Sequence, residues 1–400
     1  MSQHSQPLAG LVLHLDAMTY GGDAIGRVDG RAIFVRGGIA GETVRVQVVE
    51  ERGGFARAQV TEVVAPSPHR VSPRCPHFGH APASCGGCHW QHVDYPAQLQ
   101  HKSAIVREQM RRIGRIGDAP VRDTIPSPDV WAYRNHAEFS VTPDGRLGFM
   151  AARSNRVTPI DECHIVQAPI LGWLRAQGPV EPGTTRVAVR AEGPAASVQV
   201  WRAGRSPSNL HAREAGSLIS HFQIKGAVFR ASPQSFFQVN TSLVETLVDQ
   251  VVSRIAPSGG ETVLDAYCGV GLFTRFVAPV AGRVIGIDSS SSAVADARVN
   301  LALFGNAELH EGSVETVLPK VGGRAAAAIV DPPRAGCGPK ALAALMAKRV
   351  KRLVVVSCDP STLARDARQL IDGGYRLVEV QPLDMFPHTY HIECVAQFET

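Results

Sequence analysis

Three short stretches of this chain carry side chains suited to covalent chemistry. Cys358 stands in Ser357-Cys358-Asp359-Pro360, directly after the apolar run 353–356, and Glu393 stands in His391-Ile392-Glu393. Asp331 opens Asp331-Pro332-Pro333-Arg334 after Ile329-Val330. A thiolate is a strong nucleophile and a nearby carboxylate can move a proton, so the pair is equipped for an addition–elimination reaction. A lone cysteine after a strand is more often structural, and Cys268, Cys337 and Cys394 are read as buried residues of that kind. The Ser-Cys-Asp-Pro setting, beside Asp-Pro-Pro-Arg at another strand end, favours the catalytic reading for Cys358.

A fourth stretch reads as a cofactor site. Val263-Leu264-Asp265-Ala266-Tyr267-Cys268-Gly269-Val270-Gly271 is an apolar strand running into a glycine turn before a helix. Glycines there let the backbone approach a ligand where a side chain would collide. Asp288 ends the next strand, twenty-three residues after Asp265, where an acid can accept hydrogen bonds from both hydroxyls of an adenosyl ribose. A nicotinamide dinucleotide site would require a third small residue at 274, where Thr274 stands. The Asp-x-Tyr-Cys-Gly-x-Gly form is instead similar to the first motif of class I methyltransferases.

A uracil ring would use this combination. Its carbon 5 is a poor nucleophile toward a methyl sulfonium until a thiolate adds to carbon 6 and makes an enolate. A base must then remove the carbon-5 proton so that the thiol can leave. Together with Ser235-Phe236-Phe237-Gln238-Val239-Asn240 and Asp384-Met385-Phe386-Pro387-His388-Thr389, these motifs resemble, in order, the RNA uracil-5-methyltransferases. The resemblance implies S-adenosyl-L-methionine as donor, Cys358 as nucleophile and Glu393 as base. It also implies that Gln238, Tyr267, Gly269, Asp288 and Asp331 line the donor and target-base pocket, with Phe236 or Phe237 packing on an extruded base. The family often has Asn at the place of Leu272 and Glu at that of Asp288; the shorter Asp288 reaches less far.

Cys75, Cys85, Cys88 and Cys163 would supply four thiolates, enough for structural zinc or a [4Fe–4S] cluster. On residue types alone zinc is the safer reading and a reduced, unliganded set is open. Ribosomal members of the family carry an iron–sulfur cluster on such a set, and the resemblance shifts the expectation to [4Fe–4S]. Nine residues separate Cys75 from Cys85, longer than the commonest family spacing, so a loop must be accommodated.

The elements that must position these residues fall into three parts. Residues 1–65 read as about five short glycine-punctuated strands, among them 32–35, 43–49 and 58–64, and suggest an OB-like barrel; by resemblance this is a TRAM RNA-binding domain. Residues 66–92 and 120–234 read as a β-rich central domain holding the cysteines. A helix over 96–113, within a segment 93–119, is expected to pack on the catalytic domain. From 235 to 400, strands and helices alternate as in a mostly parallel, doubly wound α/β sheet, with the last strand over 391–398.

The formal charge of +5 over 400 residues permits a nucleic-acid partner without demanding one. Residues 1–70 balance seven Lys/Arg against seven Asp/Glu, whereas 102–156 hold ten against six. No apolar run is long enough to span a bilayer, and residues 1–7 lack a signal-peptide pattern, so a cytoplasmic protein without a membrane partner is expected. The sequence shows no protein partner. RNA is the expected partner, 23S rRNA ahead of tRNA by resemblance. Two other readings are an amino-group methyltransferase, which would want Asp-Pro-Pro-Tyr, and a non-catalytic RNA-binding factor, which would not need Cys358 and Glu393.

Overall fold

The computed structural model describes residues 9–81, 83–192, 198–204 and 219–400. Parts of the expected barrel (1–8) and central domain (193–197 and 205–218), with residue 82, lie outside them.

Six strands build the N-terminal sheet: β1 (Ala9–His14), β2 (Ala17–Met18), β3 (Ala24–Val28), β4 (Arg31–Arg36), β5 (Thr43–Glu51) and β6 (Phe55–Ala65), in the order β1-β5-β6-β4-β3-β2. Alternation along β4 and β5 turns Ile33, Val35, Val44 and Val46 inward. Asp29 and Gly30 both take positive φ (50° and 78°) to close the β3–β4 hairpin, a backbone that Asp-Gly supplies readily. The strand expected at 58–64 is longer, and one strand more than the expected five is present.

Helix α1 (Tyr95–Arg112) begins where Asp94 accepts a hydrogen bond from the Ala97 amide at 2.8 Å, with Pro96 in the first turn. The central part holds β7 (His136–Val141), β8 (Leu147–Met150), β9 (Val157–Pro159), α2 (Ala168–Ala176), β10 (Thr184–Ala191) and β11 (Val198–Gly204). These five strands form an antiparallel sheet in the order β11-β10-β7-β8-β9, and a separate hairpin follows, β12 (Ser220–Ile224) with β13 (Ala227–Ala231).

The C-terminal part contains α3 (Thr241–Ile255), β14 (Thr262–Ala266), α4 (Leu272–Val277), β15 (Arg283–Asp288), α5 (Ser291–Asn300), β16 (Ala307–Glu311), α6 (Val314–Val317), β17 (Ala327–Val330), α7 (Gly338–Ala347), β18 (Arg352–Ser357), α8 (Pro360–Asp372), β19 (Arg376–Leu383) and β20 (Glu393–Glu399). Its seven-stranded sheet runs β16-β15-β14-β17-β18-β20-β19, parallel except for β20, which pairs antiparallel with both neighbours. This is the α/β sheet that the alternation predicts. The central strands are apolar on both faces because helices cover both. The polar edge strand β16 (Ala-Glu-Leu-His-Glu) has no such signature and was not anticipated. The strand expected from 391 starts at Glu393.

One apolar cluster runs from the barrel (Ile33, Val46) through Trp90 and α1 (Ile105, Met110) into the sheet (Leu353, Phe398). The three parts are therefore packed on each other, and the barrel reaches the sheet's C-terminal edge. Among the described residues, no helix is long and apolar enough to cross a membrane.

Candidate active site

The turn after β18 leaves one side chain free for chemistry. Ser357 Oγ bonds the Asp359 carbonyl at 3.1 Å, and Asp359 Oδ1 accepts the amides of Ser361 (2.9 Å) and Thr362 (3.2 Å), capping α8. Pro360 opens that helix. Ser, Asp and Pro thus each hold the turn, and the half-buried Cys358 is held by it.

Register explains why two residues thirty-five positions apart meet. The last antiparallel pair of β18 and β20 is Ser357 with Cys394, and one step beyond it stand Cys358 and Glu393. Asp331 follows β17, its amide bonded to the Ala266 carbonyl at 3.1 Å, which places it between the glycine turn and Cys358.

The site is crowded with acids and short of water. Desolvation, then the Glu393 carboxylate, pushes the Cys358 thiol up to about 12, with Arg334 opposing. Burial and the neighbouring Asp331 hold Glu393, only 4% exposed, far above the usual carboxylate range. Desolvation with the charges of Asp265 and Asp288 pushes Asp331 up to about 7. Asp265 also lies at about 7, raised by burial against two bonds from Thr274, whose amide and hydroxyl donate at 3.0 and 2.6 Å. Its other oxygen, Oδ1, is buried without a partner. Asp265, Asp288 and Glu393 each repel Asp331 when ionised, and a cation placed beside Asp331 would relieve that repulsion.

The glycine turn is built for close approach. Tyr267, Gly269 and Gly271 have φ of 64°, 55° and 87°; a side chain at 269 would meet open space, while one at 271 would meet Leu301 at 3.0 Å. Gly269 therefore borders the crevice and Gly271 serves helix packing. Asp288 accepts the Gly269 amide at 2.8 Å and the Ser290 amide at 2.8 Å, which fixes its carboxylate at the end of β15. The Tyr267 hydroxyl reaches the Cys337 carbonyl at 3.4 Å.

Lys102 of α1 is fully buried and donates to Asp384 Oδ1 (2.5 Å) and to the carbonyls of Phe386 (3.1 Å) and His391 (2.8 Å). One ammonium thus ties down the loop that leads into Glu393. Nothing in the sequence around Lys102 announces this role. Tyr20 of the barrel is another group that sequence reading missed. Its hydroxyl is buried near Asp359 and Arg334, and its ring meets Tyr390 edge-on at 5.5 Å.

Gln238 is buried on the link from β13 to α3, its carbonyl accepting from Asn135 Nδ2 at 3.0 Å. Phe237 stacks on Phe222 inside the core (4.2 Å, 5° between planes), whereas Phe236 is 68% exposed. Cys75, Cys85, Cys88 and Cys163 all line one cavity of about 520 Å³, and Phe236 and Phe386 also border it. Desolvation raises all four thiols, Cys85 to about 11, and they repel one another when ionised. Among the described residues, no three Cys, His, Asp or Glu side chains converge to hold a metal ion.

A doubly wound methyltransferase sheet with a cysteine and an acid at the ends of adjacent strands, joined to an RNA-type barrel, defines an RNA methyltransferase. Residues 324–399 match the family described as tRNA (Uracil-5-)-methyltransferase, and residues 11–61 match the TRAM domain. RNA methyltransferases of Gloeobacter violaceus and Streptomyces coelicolor, themselves uncharacterized, are 34% and 35% identical; each alignment covers 96% of this chain and, respectively, 95% and 91% of the relative. The tRNA (uracil-54, C5)-methyltransferase of Pyrococcus abyssi, solved in complex with S-adenosyl-L-homocysteine, superposes with a TM-score of 0.72 at 25% identity. That match covers 97% of this chain and all of the archaeal one. The chain belongs to the RNA uracil-5-methyltransferase family.

Proposed function

We propose that this protein methylates carbon 5 of a uridine in RNA through a covalent bond from Cys358 to carbon 6 of the ring. The observation that carries the reading is the β18–β20 register, which brings Cys358 and Glu393 side by side next to Asp331. Cys358 forms the S–C6 bond as the C5=C6 electron pair moves toward O4. Asp331, half-ionised near neutrality, takes the thiol proton. Carbon 5 then bonds the methyl group as the methyl–sulfur bond of the donor breaks with its pair left on sulfur. Glu393, which burial holds protonated at rest, acts once it has shed that proton and accepts the carbon-5 proton, and the returning pair restores C5=C6 as the S–C6 bond breaks. Phe236, the exposed member of its pair, is the ring available to pack on an extruded base.

The donor reading fits the acids described above. When bound, S-adenosyl-L-methionine supplies an electrophilic methyl group on a positively charged sulfur. Gly269, Tyr267, Asp288 and Asp331 would hold it, and Gln238 borders the same pocket in this reading. With its thiol raised to about 12, Cys358 is almost wholly protonated at pH 7, and a positive charge held near it would lower that value. Alkylation of Cys358 by iodoacetamide, followed by peptide mass spectrometry, is therefore expected to quicken about tenfold per pH unit from 7 to 10. S-adenosyl-L-methionine is expected to accelerate it at pH 7 more than uncharged S-adenosyl-L-homocysteine does. A flat pH profile would contradict a buried, acid-crowded thiol.

We read the four cysteines, which line one cavity, as ligands of a [4Fe–4S] cluster rather than of zinc, on the family resemblance alone. The cluster would tie Cys163 to the 75–88 segment and order the central domain for RNA, with no role in methyl transfer. Anaerobically purified protein is expected to be brown with about four irons per chain, and Cys88→Ser to lose both. Colourless protein carrying about one zinc would reverse the assignment.

As substrate we propose 23S rRNA, on the resemblance of the cysteine set. The barrel does not discriminate, because the archaeal tRNA enzyme superposes over nearly the whole chain; that similarity favours tRNA as the second reading. Incubating the protein with unmodified 23S rRNA and unmodified tRNA, with labelled donor, and locating the methyl group by mass spectrometry decides between them. A methyl group on an exocyclic amine would refute the uracil chemistry.

A further inference from the structure

A second cavity, of about 500 Å³, opens where the barrel, the cysteine segment and the β8–β9 turn meet. Arg36 at the end of β4 and Arg153 in the β8–β9 turn both line it. They stand close enough that Arg153, after desolvation, lowers the affinity of Arg36 for its proton. Arg153 bonds Asp23 at 2.6 Å, and the same Asp23 oxygen also meets Arg57 at 3.3 Å. That single carboxylate is thus shared by two guanidiniums. Arg36 donates no hydrogen bond among the described residues. Arg57 also meets Glu50 at 3.4 Å and lies outside the lining, so the cavity itself sets Arg36 and Arg153 against the single carboxylate of Asp23, a net positive charge in a concave site; a phosphate is the group that bidentate guanidinium donors match best.

Another part of the lining is aromatic. His89 and Tyr390 line the cavity with ring centroids 4.5 Å apart. Gly22 lies against both, and a side chain there would come within 3.2 Å of the Tyr390 ring and 3.5 Å of the His89 ring. The aromatic wall also leads to the nucleophile: Tyr390 packs on His391 (4.4 Å), Arg334 donates to His391 Nδ1 at 3.0 Å, and Arg334 faces Cys358. The cavity and the catalytic crevice are therefore neighbours along one surface.

We propose that this cavity is a binding site for a second nucleotide of the RNA, one flanking the target uridine, with its phosphate on Arg36 and Arg153 and its base against His89 and Tyr390. This rests on the RNA reading above. It makes the barrel a specificity element: Arg36 comes from the barrel, Arg153 from the central sheet, and Tyr390 from the loop before the catalytic acid, so the site exists only when all three are docked.

The test is binding, read independently of methyl transfer. A fluorescent oligouridylate of about 12 nucleotides is titrated with wild type, Arg36→Gln and Arg36→Lys by anisotropy at several salt concentrations. Arg36→Gln is expected to weaken binding about tenfold and to reduce the slope of log affinity against log salt by about 0.7; Arg36→Lys is expected to restore much of the slope. With 4-thiouridine at each position in turn, crosslinks are expected on the peptides carrying His89 or Tyr390. Unchanged affinity and slope in Arg36→Gln, or crosslinks confined to other peptides, would overturn the proposal. So would equal weakening for free uridine monophosphate, which would make the cavity a mononucleotide site. If the oligonucleotide results hold but no carbon-5 methyl is ever found, the uracil chemistry fails and the nucleotide site stands.

Discussion

Cys358→Ala is expected to abolish methylation, with a rate loss of about 10⁴-fold or more, because without a bond to carbon 6 the uracil ring offers no nucleophilic carbon 5. Donor and RNA binding are expected to persist, since Cys358 packs no core and the turn around it is held by Ser357, Asp359 and Pro360. Glu393→Gln complements it. Glutamine fills the same buried space and, like the protonated acid, carries no charge there, so the fold is retained, while the carbon-5 proton has no acceptor. A protein–RNA adduct surviving denaturing electrophoresis is the expected outcome, carrying one donor-derived methyl group per adduct. Methylation by Cys358→Ala at near wild-type rate would end the covalent scheme. An adduct lacking the methyl group would place Glu393 before methyl transfer.

The second large effect is on the fold of the site. Lys102→Met leaves the Asp384 carboxylate without a countercharge in a place with no solvent access, where one oxygen already lacks a partner. Breaking a buried ion pair from one side costs about 3–5 kcal/mol. The loss is expected to appear as a lower thermal midpoint and as faster hydrogen exchange across 384–393, with kcat falling as Glu393 loosens. The double replacement Lys102→Met with Asp384→Leu removes both charges and is expected to recover most of the stability. It is not expected to recover all of the activity, because the Phe386 and His391 carbonyls stay without their donor. A double variant as unstable as the single one would mean that Lys102 acts through packing of its stem.

How much of this was legible in the sequence depends on how local the cause is. The glycine turn, the Asp-Pro-Pro-Arg corner and the Ser-Cys-Asp-Pro turn are made by residues within a few positions of each other, and each stands at the strand end where it was expected. The alternation that predicts the parallel sheet is equally local, as strands buried on both faces must be apolar throughout. Beyond that range the signal fades. Phe236 and Phe237 are adjacent and chemically identical; only Phe222, fifteen residues earlier, decides which one is buried. Lys102 sits among polar residues of an ordinary amphipathic helix, and its three acceptors lie some 280 residues away. Tyr20 belongs to a barrel turn whose neighbours at 334, 359 and 390 exist only in the folded state. His391 and Ile392 read as strand, yet the Lys102 bond holds the His391 carbonyl in the loop.

The place of β20 in the sheet also governs how the molecule assembles. It is the last strand in chain order, yet it lies between β18 and β19 and joins both. Until it docks, β18 presents a bare apolar edge, and these two earlier strands have no ladder between them. Pairings of this kind, far apart along the chain, form slowly and leave sticky intermediates. Glu393 is the first residue of that strand, so the proposed proton acceptor arrives with the final zipping step. Each partly assembled chain is then chemically silent, and a turnover assay counts only molecules that have completed the sheet.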